Sequence, residues 1–311
     1  MSIQAPSAVV LVRPHHFRPN PLTASDNVFQ VTGATTEFSR IATAAYDEVT
    51  RTAAALQAAG IRVHLFDDES PDRPDSVFPN NWVSTHPGGH VAVYPMYAVN
   101  RRGERRSDVI EMLKNEYRVQ DVIDYSGLEL DDVFLEGTGA IVLDHVSRIA
   151  YVARSNRADP IALERFCTNF GYEPMVFDAV DPSGVPIYHT NVMMGVATDF
   201  ALVGLSLIQS PARRAQVADR LTAHGRILID LNFEQVCDFA GNAIELHAPS
   251  GRILALSRRA ADSLRPDQLV IIEQSCTLLP LDIPTIELAG GSVRCMIAGI
   301  HLDPRPAVVA A

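Results

Sequence analysis

Short apolar runs rich in Val and Ile alternate along this chain with longer stretches in which apolar residues recur every three or four positions. The first kind reads as buried strands, the second as amphipathic helices. Residues 9–12 open the series as a strand. Residues 36–59 follow as a helix, with Phe38, Ile41, Ala45, Val49, Ala53 and Leu56 on one face and Gly60 as its stop. Residues 62–66 are a strand. Residues 82–84 and 90–94 pair around Pro87-Gly88-Gly89, and 105–116 form the next helix. The pattern then recurs. Strands at 139–143 and 149–152 precede a helix at 160–169 and a strand at 174–177. Strands at 192–196 and 200–204 precede a helix at 211–223 and a strand at 226–231. Strands at 242–247 and 252–256 precede a helix from 257 and a strand at 277–281, and 294–300 begins a last pair.

Each unit reads strand, turn, strand, helix, strand over roughly 50–60 residues, a spacing that points to a repeat architecture. About five copies fit a chain of 311 residues. A ring of five ββαβ units predicts an α/β fold that closes like a propeller around a central cleft. No Pro-, Gly- or Ser-rich linker and no charge block divides the chain, so a single domain over 1–311 is expected. The turn-rich stretch 67–81 reads as a loop at the mouth of the cleft.

Composition narrows the function. Hydrophobic residues make up 47% and charged residues 20%, enough apolar content for a packed core. A net charge of −11 argues against nucleic acid and against acidic membrane surfaces as partners. A small zwitterionic or cationic substrate is compatible with it. The N-terminal apolar run at 8–12, ended by Arg13-Pro14, is too short to span a bilayer and lacks the layout of a signal peptide. A cytoplasmic location is therefore expected, and nothing in the pattern forbids a homodimer. Cys167, Cys237, Cys276 and Cys295 are far apart, so neither a disulfide framework nor a zinc ribbon is expected. His15-His16 and His86 with His90 make poor ligand sets, so no metal is expected.

Candidate chemistry sits in three separate segments. Cys295 follows Gly290-Gly291-Ser292 and precedes an apolar strand, a position that faces a cleft. His189 stands in Tyr188-His189-Thr190-Asn191, and Glu136 in Leu135-Glu136-Gly137-Thr138-Gly139. A lone thiol with a histidine and a carboxylate elsewhere in the chain is a candidate nucleophile. Plainer readings exist for each: a buried small hydrophobe, a hydrogen-bonded core histidine, a surface acid. The other three cysteines read as structural. Asn80-Asn81-Trp82, after Val77-Phe78-Pro79, reads as a turn or as two neutral amides facing a polar ligand above Trp82. Arg101, Arg102 and Arg157 follow strand ends, where an arginine is either solvated or a bidentate partner for a substrate carboxylate.

Taken together these segments resemble the guanidino-group-modifying enzymes of the pentein fold, which include arginine deiminase, dimethylarginine dimethylaminohydrolase, amidinotransferases and succinylarginine dihydrolase. The resemblance is strongest to arginine deiminase-related and citrulline-utilisation hydrolases. It rests on Val12-Arg13-Pro14, Asp26-Asn27-Val28-Phe29-Gln30, Val77-Phe78-Pro79-Asn80-Asn81-Trp82, Asn100-Arg101-Arg102, Leu135-Glu136-Gly137-Thr138-Gly139, Tyr188-His189-Thr190-Asn191, Phe239-Ala240-Gly241-Asn242 and the run from Gly290 to Met296, in family order over nearly the whole chain. It implies a five-bladed α/β propeller, with Cys295 as nucleophile, His189 as general acid/base and Glu136 as its carboxylate partner. It also implies a substrate pocket that includes Phe78, Asn80, Asn81, Asn191, Asn242, Arg157 and either Arg101 or Arg102.

The sequence departs from the family at four positions, one of them Ala158 in place of a usual threonine. Asparagine stands at 81 and 191, where relatives usually carry acids that grip a guanidinium. Ala289 replaces a usual glycine and requires a negative φ. Asparagine offers both a carbonyl and an NH2 group, which suits a neutral ureido group. Hydrolysis of citrulline to ornithine, CO2 and ammonia through a covalent thiol adduct is therefore the expected reaction, with no cofactor. The alternatives are an arginine deiminase, a dihydrolase or an amidinotransferase, and more remotely a non-catalytic pentein binding protein.

Overall fold

The computed structural model describes residues 4–24, 27–31 and 38–306. One rule builds five three-stranded sheets. The first sheet contains β1 (Ala8–Pro14) and β2 (Arg62–Asp68). The second is β3 (Val83–His86), β4 (His90–Val93) and β5 (Asp121–Asp124). The third is β6 (Ile141–Asp144), β7 (Ile149–Ala153) and β8 (Glu173–Phe177). The fourth is β9 (Met194–Val196), β10 (Phe200–Val203) and β11 (Ile227–Asp230). The fifth is β12 (Ile244–Ala248), β13 (Gly251–Ser257) and β14 (Cys276–Leu281). The last strand, β15 (Ala298–Ile300), returns to pair with β1 and completes the first sheet.

In every sheet the first two strands are antiparallel and the third lies parallel to the second. A parallel return needs a crossover, and a helix supplies it each time. These helices are Phe38–Ala58, Ser107–Glu116, Pro160–Phe170, Pro211–Thr222 and the pair Arg258–Ser263 with Pro266–Glu273. On the first of them Ile41, Ala45, Val49, Ala53 and Leu56 are buried against the sheet, as their spacing requires. Thr36, the side chain of Phe38, and Asp26 lie outside the described residues.

Strands β3, β6, β9, β12 and β15 all line one central cavity, so the first strands of the five sheets ring a common axis. These strands begin later than the hydrophobic pattern suggests. A helical turn precedes four of them: Pro79–Asn81, Gly137–Ala140, Thr190–Val192 and Val293–Met296. Before β12 the chain instead bends at Phe239, with φ of 60°, and reaches Asn242. Hydrophobicity runs unbroken from turn into strand, as in Cys295-Met296-Ile297, so periodicity alone does not mark the boundary. Cys295 accordingly sits on a helical turn, not directly against a strand. Among the described residues no helix is long and apolar enough to cross a membrane.

Candidate active site

The repeat explains why residues distant in sequence meet. Asn81, Glu136, His189, Asn242 and Cys295 each stand on, or beside, the turn that leads into the first strand of a different sheet. Pseudo-fivefold stacking delivers five such turns to one end of the axis.

Glu136 and His189 form the centre. His189 Nε2 lies 2.8 Å from Glu136 Oε2. A carboxylate only accepts, so Nε2 carries the proton and Nδ1 is the ring's other face. Glu136 Oε1 accepts from the Tyr97 backbone N–H at 3.0 Å. Arg157 Nη1 stands 3.4 Å and Arg101 Nη1 3.7 Å from Oε2. Burial pushes the Glu136 carboxyl up, but Arg157, His189 and Arg101 together hold it well below its ordinary range. Burial lowers His189 below the usual histidine value; Glu136 resists that shift, and the two arginines reinforce it. The resting pair is therefore a carboxylate beside a neutral imidazole. Gly139 makes room for it. A Cβ there would come within 2.8 Å of His189 Nδ1 and 2.2 Å of Asn81 Nδ2.

Cys295 is held by two amides. Asn191 Nδ2 points at its sulfur from 3.3 Å and Asn242 Nδ2 from 3.2 Å. Asn242 also accepts the Cys295 backbone N–H through Oδ1 at 3.3 Å and donates to the Asn191 carbonyl at 2.9 Å. Two neutral donors directed at one sulfur favour an electron-rich thiol without placing a charge beside it. The loop before it turns at Gly290, where φ is 79° and a Cβ would stand 2.4 Å from Asn27 Oδ1. Ala289 keeps φ out of the positive range, which satisfies the condition for alanine at that place.

Cys295 and His189 line a shared cavity with Asn81, Phe78, Arg101, Arg157, Tyr188, Asn27 and Asp75. Its volume of about 20 Å³ holds one or two waters, so an amino acid enters only if part of the wall shifts. Arg101 decides between the two adjacent arginines. It is buried, makes a bidentate contact with Glu104 at 2.9–3.2 Å, and donates to Asn81 Oδ1 at 3.0 Å. Burial pulls Arg101 down, but Glu104, Asp75 and Glu136 outweigh it and push the guanidinium up. Burial likewise raises the Asp75 carboxyl, against the pull of Arg101 and Asn20. Arg102 lies outside this cavity, with its Nε on the Met96 carbonyl at 3.2 Å.

A family model described as N,N dimethylarginine dimethylhydrolase, eukaryotic, matches residues 13–302, nearly the whole chain. The chain belongs to that family. The membership agrees with the pentein architecture of five ββαβ sheets. No curated protein matches the sequence. Solved structures do. The N-terminal domain of ArgZ, an arginine dihydrolase from the ornithine–ammonia cycle in Cyanobacteria, crystallised as a mutant bound to substrate, superposes with a TM-score of 0.73 at 14% identity, covering 94% of this chain and 97% of that one. The chain spans only 42% of whole ArgZ. Unliganded AgrE gives 0.73 at 15% identity over 97% of this chain and 40% of its own. A dimethylarginine dimethylaminohydrolase adduct with 4-chloro-2-hydroxymethylpyridine gives 0.65 at 14%, over 96% and 100%. At these identities the likeness establishes the fold.

Against this family frame, the structure brings Cys295, His189, Glu136, Asn81, Phe78, Arg101 and Arg157 together. Asn191 and Asn242 touch the Cys295 sulfur and do not line the cavity. Asn80 and Arg102 stay outside the wall. Asn80 is fully buried, and its backbone carbonyl takes the Thr138 hydroxyl at 3.3 Å. Trp82 is buried beside this turn, as a packing residue should be. Asp75, Tyr188 and Asn27 were not assigned roles from sequence. Asp75 lies among the acids of a turn-rich loop, two residues before the apolar Val77-Phe78, and is buried. Tyr188 donates to the Gly290 carbonyl at 2.7 Å and carries Arg157 4.8 Å above its ring. Among the described residues no cluster of three or more His, Cys, Asp or Glu could hold a metal.

Proposed function

We propose that the chain is a cysteine hydrolase of the terminal C–N bonds in an arginine-like free amino acid, and that citrulline, giving ornithine, CO2 and ammonia, is the substrate its head-group contacts fit best. The observation that carries the class is Glu136 2.8 Å from a His189 that shares its cavity with Cys295. Neutral His189 takes the thiol proton, and the sulfur adds to the trigonal carbon between the nitrogens. His189 then protonates the leaving nitrogen, and the tetrahedral adduct collapses. A water deprotonated by the same imidazole hydrolyses the thiol adduct, while Glu136 stabilises each imidazolium that forms.

The head-group preference rests on Asn81. Arg101 can only donate, so the Asn81 atom 3.0 Å from it is the carbonyl oxygen. That leaves Asn81 Nδ2, a donor with no partner among the described residues, beside His189. A ureido carbonyl accepts from it, whereas a guanidinium has only donors to offer. Arg157 suits the substrate carboxylate and Asp75 its ammonium. A second reading, a guanidino substrate such as an N-methylated arginine, is supported by the family match and by Asp75, a buried carboxylate on the cavity wall. An amidinotransferase would pass the adduct to an amine instead of water.

The test is ammonia and ornithine release from citrulline, arginine, N-methylated arginines and agmatine. Citrulline should give the highest kcat/KM, and Cys295→Ala should reduce it by at least about 10³-fold. Asn81→Asp, which removes the donor and adds charge, should shift preference toward guanidino substrates. Full activity in Cys295→Ala overturns the class; equal citrulline turnover in Asn81→Asp overturns the head-group reading.

A further inference from the structure

A second polar cavity lies on the propeller axis beneath the active site. Residues of all five first strands line it, together with Gln4, Arg294, His145 and His301. Its volume is about 50 Å³, room for a few waters or one small ion. Arg294 directly precedes the nucleophile on the turn Val293–Met296. It is only half-buried, and the wall it belongs to is that of the axial cavity. One nitrogen, Nη1, donates to the Ile297 carbonyl at 3.0 Å. A guanidinium has five N–H donors, so most of its capacity remains. No carboxylate makes an ion pair with Arg294 among the described residues.

The neighbours do not supply the missing anion. Glu245 lines the same cavity, but its Oε2 takes the Thr198 backbone N–H at 2.8 Å and hydroxyl at 2.6 Å, and Arg252 stands 3.6 Å from its Oε1. Gln4 is spent on the Leu143 and Val196 carbonyls and the His145 backbone N–H. His145 Nδ1 shares a hydrogen bond with the Tyr172 hydroxyl, 2.8 Å away, and its ring stacks on His301 with centroids 3.9 Å apart. Burial drives His145 well below its ordinary value, so it carries no charge of its own. Burial also lowers Arg294, to about 10, which leaves it a cation at neutral pH. A cation whose exposure opens only into such a cavity, without a counter-charge, is costly, and an anion within reach relieves that cost.

We propose that the axial cavity binds one small monovalent anion, the size of a halide or bicarbonate, on the Arg294 guanidinium. His301 lines both the axial cavity and a surface groove with Pro87, His247 and Asp303. Because Arg294 and Cys295 share one helical turn, occupancy of this cavity bears on how firmly the nucleophile is placed. The site takes ions too small to be the amino-acid substrate, and it stands whether or not the proposed reaction is right.

The test uses the full chain. Crystals grown with bromide as the halide should show an anomalous peak within about 3.5 Å of an Arg294 nitrogen. The melting midpoint in 100 mM sodium bromide should exceed that in 100 mM sodium gluconate, an anion too large for the cavity, by about 2 °C. Arg294→Gln should abolish the difference, and Arg294→Lys, which keeps the cation, should retain part of it. Equal midpoints in the two salts, no peak in the axial cavity, or a full shift in Arg294→Gln would each overturn the proposal. If Arg294→Gln does not fold, the peak and the two salts with the unmodified chain still decide.

Discussion

Replacing Glu136 by Gln tests the centre of the site with almost no change of shape. Four donors converge on the native carboxylate: His189 Nε2 at 2.8 Å, Tyr97 N at 3.0 Å, Arg157 Nη1 at 3.4 Å and Arg101 Nη1 at 3.7 Å. Glutamine has one accepting oxygen. Turned toward Tyr97, it would aim its NH2 at three donors, two of them cationic. Turned toward His189, it leaves only the Tyr97 N–H unsatisfied. The second arrangement wins, and that lost bond costs about 1–3 kcal/mol. Weakened charge pairing with Arg157 and Arg101 adds to it. The expected stability loss is about 2–5 kcal/mol, read as an earlier urea midpoint. Activity falls further, because the imidazolium formed during turnover loses its anion: kcat for ammonia release should drop about 10²–10⁴-fold. The native carboxyl titrates below its unfolded value. Its contribution is present above about pH 4.3 and lost as pH falls through the depressed value. The stability gap between wild type and variant should therefore begin to narrow below about pH 4. A variant with kcat/KM within about threefold of wild type, or a gap constant from pH 7 to 3, would refute the reasoning.

Other expectations follow from the same geometry. Burial lowers His86, His145 and His189, so all three resist protonation in the folded chain. Stability should rise with pH up to the unfolded histidine value of about 6.5 and level off above it, as a denaturant series at several pH values would show. The acid limb of kcat/KM should lie below pH 6.5; a limb at pH 7 or above contradicts a depressed His189. Arg102→Ala should leave KM within about threefold, because Arg102 is off the cavity wall, whereas Arg101→Gln strands Glu104 and Asp75 and should cost about 3–5 kcal/mol in urea. Gly290→Ala should lower the melting midpoint, since alanine pays about 1–2 kcal/mol in that backbone region and its Cβ would crowd Asn27.

The fivefold plan was legible in the chain because each ββαβ unit writes its own period: alternating short apolar runs, a helical stripe, then another run. Five copies follow from length and pattern; that residues 298–300 pair with the first strand instead of beginning a pair of their own is shown by the structure alone. That Cys295, His189 and Glu136 form one candidate site was also legible, since glycines flank the thiol and the acid, and the structure brings the three together. What the sequence could not reveal is where the strands begin, because Met193-Met194 and Cys295-Met296-Ile297 stay apolar across the change from turn to strand. Nor could it separate Arg101 from Arg102, adjacent and chemically identical; only the curl of the backbone at Val99–Glu104 turns one inward onto Asn81 and Glu104 and leaves the other near Met96. Asp75 looked like any loop acid until burial set it on the cavity wall. Asn191 and Asn242 were placed against substrate, and packing instead turned both amides onto the sulfur. Local pattern determined the elements and the reactive groups, since propensity and periodicity act over a few residues. Which side chain meets which was decided by the ring, because those contacts join positions fifty to more than a hundred residues apart, and only closure of the five sheets brings them within hydrogen-bond reach.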